Sequence, residues 1–499
     1  MNKLVIVGGG LAGWLAAAAL ARHLDPEHYE ITIVESSHIG NISVGESVVP
    51  SVLAFLRELG LDEQELVQKT QAGFKLGIRF QDWSEVGENY FHPFGRIGRE
   101  LAGLEFFQCW LKARTLGDLT PLMDYSPAAF MAKHGKFAYP FKFPSGSPLV
   151  SADHALHLDA DLVVRYLREF SDTLGVKRIT GHVVRVHQRE NGNIESVELN
   201  SRQVIQGDFF IDCSGFRGLL IGETLNTSYE SWKHLLPCDR AVAVQSEHSG
   251  QSTPYMISRA RESGWSWHIP LQSRISSGYV FSTEHCNDQE AGQALLDSVA
   301  GKLISEPHFI PFRTGVRKKM WKKNCIALGL AAGFLEPLES TAIQLITRSV
   351  QRMLELFPNF SQGELAWPSL ASEFNARMRA DYEEVRDFII LHYRTTKRTD
   401  TEFWRRCQAD PVPDRLGAKI GLFEARGQLC VADRSVFGET AWQAVLTGMA
   451  VTPQSHHPFV DMAGFDKIHR QMKADRVRLE AAVQALPAYR GFPETLSSP

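Results

Sequence analysis

The sequence has few cysteines, little charge imbalance and no long apolar stretch beyond its first residues. Its seven cysteines are scattered through 499 residues, and no CxxC pair occurs. An odd, sparse set argues against a disulfide framework or a zinc site and favours a reducing cytoplasm. The 53 basic and 57 acidic side chains give a formal charge of −4. We therefore expect no metal centre, no nucleic-acid partner and no acidic membrane surface as a partner.

Only the N-terminal segment is apolar enough to suggest targeting or membrane insertion. Leu4–Ala21 follows Lys3 and contains no charged side chain. It could be read as a signal peptide or a short membrane span. Its four glycines would interrupt a helix of that kind. A strand, a tight turn and a helix account for the same residues better, so we expect no membrane association.

The same segment carries a dinucleotide-binding signature. Gly8, Gly10 and Gly13 form a GxGxxG motif between an apolar strand at Lys3–Val7 and an alanine-rich helix. These glycines allow a tight turn, close approach of a pyrophosphate and close packing of helix and strand. A second strand ends at Glu35, roughly 20 residues further on, where a carboxylate can accept ribose hydroxyl groups. A glycine-rich turn in an ordinary α/β core is the alternative.

The rest of the chain divides by composition. Residues 85–155 are rich in aromatics, proline and glycine and predict an irregular insertion, and Lys177–Asn200 alternates as antiparallel strands do. Phe209–Gly218 predicts a strand that ends in a glycine turn, and Ser369–Tyr393 predicts a long helix. The last ~100 residues read as mostly helical, with a tail at Pro493–Pro499 that we expect to fray.

Two segments place unusual side chains on predicted strands. Trp265 and Trp267 are two residues apart, so both indoles lie on one face of a strand. Core packing or a cross-strand aromatic ladder would also explain them. Phe74–Phe80 alternates between apolar residues and Lys75, Gly77 and Arg79. From this pattern alone, Lys75 is a solvent-exposed strand lysine.

A third segment combines two glutamates with a helix start. Pro337 disfavours helix at the residue before it, so Glu336 lies in a turn. A helix can then open near Ser340, where exposed N–H groups would suit an anion. Glu339 would lie close to that helix start. Stabilisation by the helix dipole is the ordinary explanation for a glutamate there.

Together these segments resemble the flavin-dependent tryptophan halogenase family, in order over about residues 1–410 and more loosely to about 475. The resemblance implies an α/β fold, namely the FAD-binding fold of the glutathione-reductase and p-hydroxybenzoate-hydroxylase type, with a mostly helical substrate-binding part. We predict an FAD-binding domain at 1–395, with a substrate-side insertion at about 81–155. A mostly helical substrate-side region would follow at 396–499.

The resemblance also implies roles for single residues. Lys75 and Glu339 correspond to the catalytic lysine and glutamate of the family. The N–H groups of Thr341 and Ala342 correspond to its halide site, although Ala342 stands where glycine is usual. Trp265 and Trp267, with Ile269 and Pro270, match a WxWxIP motif that separates substrate from flavin. The implied cofactor contacts are Gly8, Gly10, Gly13, Glu35, Leu330 and Ile343.

The resemblance is weaker for substrate recognition. His92 and Phe94 match a segment that contacts indole in relatives, and Trp442 is a further candidate. Trp442 and Gln443 replace the tyrosine pair that holds the amino-acid group in tryptophan halogenases, and no acid occurs between Thr440 and Val460. We therefore expect an indole or related electron-rich arene without that group.

The implied reaction needs FAD in its reduced form, FADH2, supplied by a separate flavin reductase, together with O2 and chloride or bromide. Hypohalous acid would reach the arene at Lys75. An FAD-dependent aromatic hydroxylase and a non-enzymatic flavin-binding protein are the alternatives. The sequence leaves open the natural substrate, whether it is free or carrier-bound, the regiochemistry, the halide preference and the oligomeric state, a homodimer included.

Overall fold

The computed structural model describes residues 1–36, 46–139, 143–248 and 252–490. The predicted tail Pro493–Pro499 lies outside them. The α-helices of the described residues are α1 Leu11–His23, α2 Pro50–Glu58, α3 Glu63–Thr70, α4 Phe106–Thr115, α5 Pro127–Lys133, α6 Ala160–Thr173, α7 Asp288–Leu296, α8 Ala342–Glu355, α9 Trp367–Arg394, α10 Glu402–Ala409, α11 Asp414–Arg426, α12 Glu439–Gly448, α13 Phe459–Met462 and α14 Phe465–Gln484.

The strands of the described residues are β1 Asn2–Val7, β2 Tyr29–Glu35, β3 Glu46–Ser47, β4 Gly73–Lys75, β5 Gly77–Gln81, β6 Asn89–Pro93, β7 Ala155–Leu158, β8 Lys177–Thr180, β9 Val183–Gln188, β10 Ile194–Leu199, β11 Val204–Gln206, β12 Phe209–Asp212, β13 Tyr229–Ser231, β14 Arg240–Ser246, β15 Met256–Arg261, β16 Gly264–Pro270, β17 Ile275–Phe281, β18 His308–Pro311, β19 Gly315–Arg317, β20 Trp321–Lys322, β21 Cys325–Ala327 and β22 Gly333–Phe334. They form mixed α/β structure of the predicted class.

The chain folds into two compact units that alternate along the sequence. The first comprises Met1–Gln71, Leu158–Leu236 and Phe312–Glu383, and the second Ala72–His157, Pro237–Pro311 and Glu384–Pro499. The predicted boundary between residues 395 and 396 concerns which residues bind flavin and which bind substrate. That division stays a prediction.

The first unit is built on a six-stranded sheet in the order β20-β21-β12-β1-β2-β8. Its neighbours run parallel except for the pair β20/β21. Strand β1 lies between β12 and β2 and is buried from Leu4 to Val7. The loops after β1 and β12 therefore leave the same edge of the sheet, where parallel α/β folds bind ligands.

The second unit is built on a seven-stranded sheet in the order β18-β14-β17-β16-β15-β5-β6. Its neighbours run antiparallel except for the parallel pair β15/β5. Strands β4 and β7 form a separate antiparallel ladder. The C-terminal part of this unit is helical, as predicted, and runs through α10 to α14.

The structure corrects some local predictions and confirms others. Lys177–Asn200 was predicted to be antiparallel, and β9 and β10 are, but Lys177–Thr180 pairs in parallel with β2. The predicted irregular insertion contains strand β6 and the helices α4 and α5. The long helix predicted at Ser369–Tyr393 is confirmed as Trp367–Arg394.

All seven cysteines carry free thiols. Among the described residues, no helix is long and apolar enough to cross a membrane.

Candidate active site

The glycine loop after β1 has the geometry that the motif predicts. Gly8 has a φ of +120°, and a Cβ there would lie 2.1 Å from the Cys213 carbonyl oxygen. A Cβ at Gly13 would lie 1.9 Å from the Gly8 carbonyl oxygen. Both positions therefore need glycine for the close packing of the chain itself.

Gly10 differs from these two glycines. It is the N-cap of α1, with a φ of −79° that any residue can adopt, and no side chain caps the helix there. It is also only half-buried. The helix start is thus a partly open set of N–H groups suited to a phosphate, and a glycine there allows close approach.

Glu35 closes this site at the end of β2. Its carboxylate accepts hydrogen bonds from the Trp14 indole N–H at 3.3 Å, Arg168 at 3.2 Å and Arg178 at 3.2 Å. A Cβ at Gly9 would lie 2.3 Å from the carboxylate, which therefore covers the glycine loop. This arrangement of glycines and one held carboxylate fits the ribose and pyrophosphate of a dinucleotide.

Asp212 is a residue of this region that sequence reasoning missed. It is buried at the end of β12, where its Oδ1 accepts from the N–H and hydroxyl of Ser214 at 3.0 and 2.5 Å. Its Oδ2 accepts from the N–H groups of Leu220 and Ile221 at 2.8 Å each. An acid between an apolar strand and a glycine turn was the available signal. Asp212 fixes the loop that packs against Gly8.

The predicted halide turn lies in the same unit. The segment 336–341 leads into α8, which begins at Ala342, two residues after the predicted Ser340. Ser340 adopts a left-handed φ of 59°, and its N–H donates to the Pro337 carbonyl at 3.0 Å. Thr341 is the N-cap, and no side chain caps the first turn of this 14-residue helix. The N–H groups at a helix start of this kind suit an anion.

The predicted glutamates of this turn, Glu336 and Glu339, are both buried. Ile343, predicted to contact the cofactor, is buried in the first turn of α8. Leu330 is half-exposed in a short 3₁₀ turn at Gly329–Ala331.

Lys75 lies in the second unit, and its environment differs from that of a surface lysine. Its side chain is 0% exposed, which corrects the expectation drawn from the alternating pattern. Strand structure is interrupted at Leu76, so Lys75 ends β4, and β5 begins at Gly77. The Lys75 ammonium lies 5.1 Å from the centre of the Phe94 ring. The structure thus places the ammonium of the predicted catalytic lysine close to the ring of a predicted substrate residue.

The two tryptophans lie on β16 as predicted. Trp265 pairs with Ala260 and Val280, and Trp267 with Ser258 and Gly278, so both indoles are on one face. Their ring centres are 6.2 Å apart, and both side chains are buried. A Cβ at Gly278 would lie 2.1 Å from the Trp267 ring, so this glycine makes room for the indole.

His92 and Trp442 both contact a buried aromatic cluster. The His92 ring lies 5.9 Å from Phe388, which stacks on Phe437 at 3.8 Å. Trp442 packs edge-on against Phe388 at 4.7 Å, and the Lys419 ammonium lies 3.9 Å from the Trp442 ring centre. Burial lowers the pKa of Lys419.

Gln443 stands at one of the two positions where the resemblance predicts tyrosines in tryptophan halogenases. Its side-chain amide donates to the Glu105 carboxylate at 2.6 Å. The hydrogen-bonding capacity of Gln443 is therefore used in part within the protein.

The predicted site residues fall into the two units. The first holds the glycine loop, Glu35, Leu330 and the turn from Glu339 to Ile343, and the second holds Lys75, His92, Phe94, Trp265, Trp267 and Trp442. The predicted catalytic residues Lys75 and Glu339 belong to different units, and their catalytic roles stay predictions.

Comparison with known proteins shows the family of the chain. A family model described as tryptophan halogenase matches residues 3–464. Tryptophan 6-halogenase SttH from Streptomyces toxytricini is 31% identical, over 98% of this chain and 97% of its own length.

Solved structures agree as well. BrvH, a flavin-dependent halogenase from Brevundimonas sp. BAL3, is 42% identical with a TM-score of 0.93, covering 99% of both chains. Xcc4156, a flavin-dependent halogenase from Xanthomonas campestris, is 39% identical with a TM-score of 0.94, covering 99% of this chain and 98% of its own. Such neighbours have the FAD-binding fold of the glutathione-reductase and p-hydroxybenzoate-hydroxylase type that the sequence predicts.

Enzymes of this family use a flavin and generally need a flavin reductase, a halide, O2 and an aromatic substrate. The matched length and the fold agree: the chain belongs to the tryptophan halogenase family and is a flavin-dependent halogenase.

Proposed function

We propose that the flavin is FAD and that its dinucleotide part binds at Gly8, Gly10, Gly13 and Glu35. The half-buried glycine loop, the uncapped start of α1 and the held Glu35 carboxylate support this assignment. Leu330 and Ile343 are the proposed further contacts with the cofactor. Bound reduced flavin supplies the electrons that activate O2 for oxidation of the halide.

The halide site is the start of α8 at Thr341 and Ala342. The helix dipole favours an anion there, and the uncapped N–H groups can donate to it. The methyl group of Ala342, where relatives have glycine, narrows the space around the ion. Glu339, in the preceding turn, orients the hypohalous acid or accepts the proton that the arene loses on halogenation.

Lys75 presents hypohalous acid to the arene. A lysine ammonium is a compact donor that can hydrogen-bond the acid and polarise its halogen. The observation that carries this role is the complete burial of Lys75 with its ammonium near the Phe94 ring. Burial keeps bulk water from the reagent, and an aromatic ring beside the ammonium marks a place where an arene can lie. Trp265 and Trp267 form the wall that separates the substrate from the flavin.

The substrate is an indole or another electron-rich arene without an amino-acid group, held by His92, Phe94 and Trp442. The hydrogen bond between Gln443 and Glu105 supports this choice, because it occupies groups that could otherwise meet a zwitterion. A separate flavin reductase that delivers FADH2 by diffusion and a cytoplasmic location complete the proposal.

Substitution of Lys75 tests the proposed role directly. Lys75→Ala should abolish halogenated indole, detected by mass spectrometry with FAD, a flavin reductase and bromide present. The rate of reduced-flavin oxidation should stay near normal, because the lysine acts after that step. Lys177→Ala, which removes an exposed lysine, is the matched control and should keep full activity.

Thermal unfolding of both variants checks that loss of the buried lysine leaves the fold intact. Near-normal product from a folded Lys75→Ala variant would overturn the proposed role.

A further inference from the structure

A buried histidine lies beside Lys75 on the neighbouring strand. Strand β7 runs antiparallel to β4, with Ala155 opposite Lys75 and His157 opposite Gly73. Directly opposed residues share a face of a ladder, and so do residues two apart on one strand. Lys75 and His157 are therefore diagonal neighbours on one face, and both are 0% exposed.

The residues opposite these two side chains are small. A Cβ at Gly73 would lie 3.7 Å from His157 Cβ and Cδ2, so the histidine side chain passes over this glycine. The same Cβ would lie 2.8 Å from the carbonyl oxygen of Pro270, at the end of the tryptophan strand. Ala155 adds only a methyl group opposite Lys75. The lysine and the imidazole are thus the two large side chains on this face of the paired segments of β4 and β7.

The charges around His157 favour an uncharged imidazole. Burial, then the charge of Lys75 and then that of His268 hold the pKa of His157 well below its usual range. His268, on β16, has a lowered pKa because of burial and then His248. Two further titratable groups lie near Phe74, the residue before Lys75. The Phe74 N–H donates to the Tyr489 hydroxyl oxygen at 3.2 Å, and the centre of the His154 ring lies 6.1 Å from that of the Phe74 ring.

We propose that His157 is a positioning residue for Lys75, an uncharged imidazole that holds the ammonium group in place between β4 and β7. An ammonium only donates hydrogen bonds, whereas an uncharged imidazole has one accepting nitrogen. An uncharged neighbour also avoids the repulsion that a second cation would bring into a buried site. The inference rests on the proposed function of Lys75.

The consequence is a defined change in pH dependence. Removing an accepting neighbour from a buried ammonium lowers its pKa, because less then offsets the desolvation that disfavours the charged form. The ammonium form presents the hypohalous acid. The loss of halogenation on the alkaline side should therefore begin at a lower pH than in the wild type. Simple loss of packing would reduce the yield at every pH alike.

The test measures halogenated indole per flavin oxidised from pH 6 to pH 10 with the complete enzyme, FAD and a flavin reductase. His157→Phe should move the alkaline limb of this profile to lower pH by about one unit or more. His157→Asn, whose amide oxygen still accepts, should restore most of the wild-type profile. His154→Phe replaces a nearby buried histidine and is the matched control. The alkaline limb of its pH profile should stay where it is in the wild type.

An unmoved alkaline limb in folded His157→Phe overturns the inference, and so does an equal shift in His154→Phe. Should His157→Phe fail to fold, the flexible apolar side chain of His157→Met makes the same comparison with the same two outcomes. The Lys75→Ala variant separates the two proposals. Near-normal product from Lys75→Ala would contradict the proposed role of Lys75. If Lys75→Ala is inactive but the alkaline limb of the pH profile does not move in the His157 variants, only the role of His157 is contradicted.

Discussion

At the scale of single residues, burial decides what a charged side chain can do. Glu336 and Glu339 are both buried in one turn, only three residues apart. A carboxylate removed from water interacts more strongly with nearby charges and protons than an exposed one. The turn therefore places two buried carboxyl groups close to the start of α8, where an anion is proposed to bind, and the two glutamates need to be distinguished by experiment.

Glu339→Gln should lower the halogenation rate by about 10- to 1000-fold, because it keeps the size of the side chain but removes its charge and basicity. The measurement is the initial rate of product formation at saturating halide and indole. Glu336→Gln, an equally buried carboxylate of the same turn, is the control, and its effect should be much smaller. Equal rates for Glu339→Gln and wild type would remove Glu339 from the catalytic residues.

Lys75 shows what residue patterns cannot reveal. Its alternation with phenylalanines was correctly read as strand structure, yet the same pattern predicted exposure. Whether a polar strand face meets water depends on what packs over it, and β7 comes from about 80 residues further along the chain. The resemblance to known halogenases pointed to Lys75, whereas nothing in the local sequence pointed to His157 as its neighbour.

At the scale of elements, the turn between β1 and α1 separates two kinds of glycine. Gly10→Val should weaken FAD binding on the order of 100-fold, because a side chain there blocks close approach of the pyrophosphate. The circular dichroism spectrum should stay native, because any residue can adopt the φ of Gly10. Gly8→Val should instead lower the thermal unfolding temperature, because its φ and the Cys213 carbonyl leave no place for a side chain. Titration of each variant with FAD distinguishes the two effects. Unchanged FAD affinity in Gly10→Val would contradict the proposal that this loop binds FAD.

Elements with strong local signals were predictable and pairings were not. Strand β1, helix α1 and helix α9 have apolar periods and turn residues that define them in isolation. Strand β8 has the same alternation as β9, yet it pairs in parallel with β2 because the sheet of the first unit extends at that edge. The division of Phe74–Phe80 into β4 and β5 also depends on partners, since β4 pairs with β7 and β5 with β6 and β15.

At the scale of the whole molecule, the balance between free tryptophan and indole tests how the substrate site is built. Indole should be halogenated preferentially when both compete in one reaction. A zwitterion without matching partners is desolvated at a cost of about 1–3 kcal/mol or more, or roughly tenfold in the specificity constant. Product ratios by mass spectrometry give the answer.

Tryptamine and indole-3-propionate, which each keep one charged group, identify which charge the site rejects. Preferential halogenation of tryptophan would show that acids elsewhere in the fold take the place of the tyrosine pair.

The alternation of the two units along the chain affects how the protein is made. The central sheet of the first unit needs β12 and β21 beside β1 and β2, so it stays incomplete until the ribosome has passed residue 327. The second unit waits longer, for the helices that follow residue 383. Strand β1 can pair with β2 early, but its other neighbour, β12, is made only at Phe209–Asp212. Until then its apolar edge is exposed, and nascent chains with exposed apolar strands depend on chaperones. Slow translation of the middle third would lengthen that exposure, so expression yield should respond to chaperone supply more than to the stability of the finished fold.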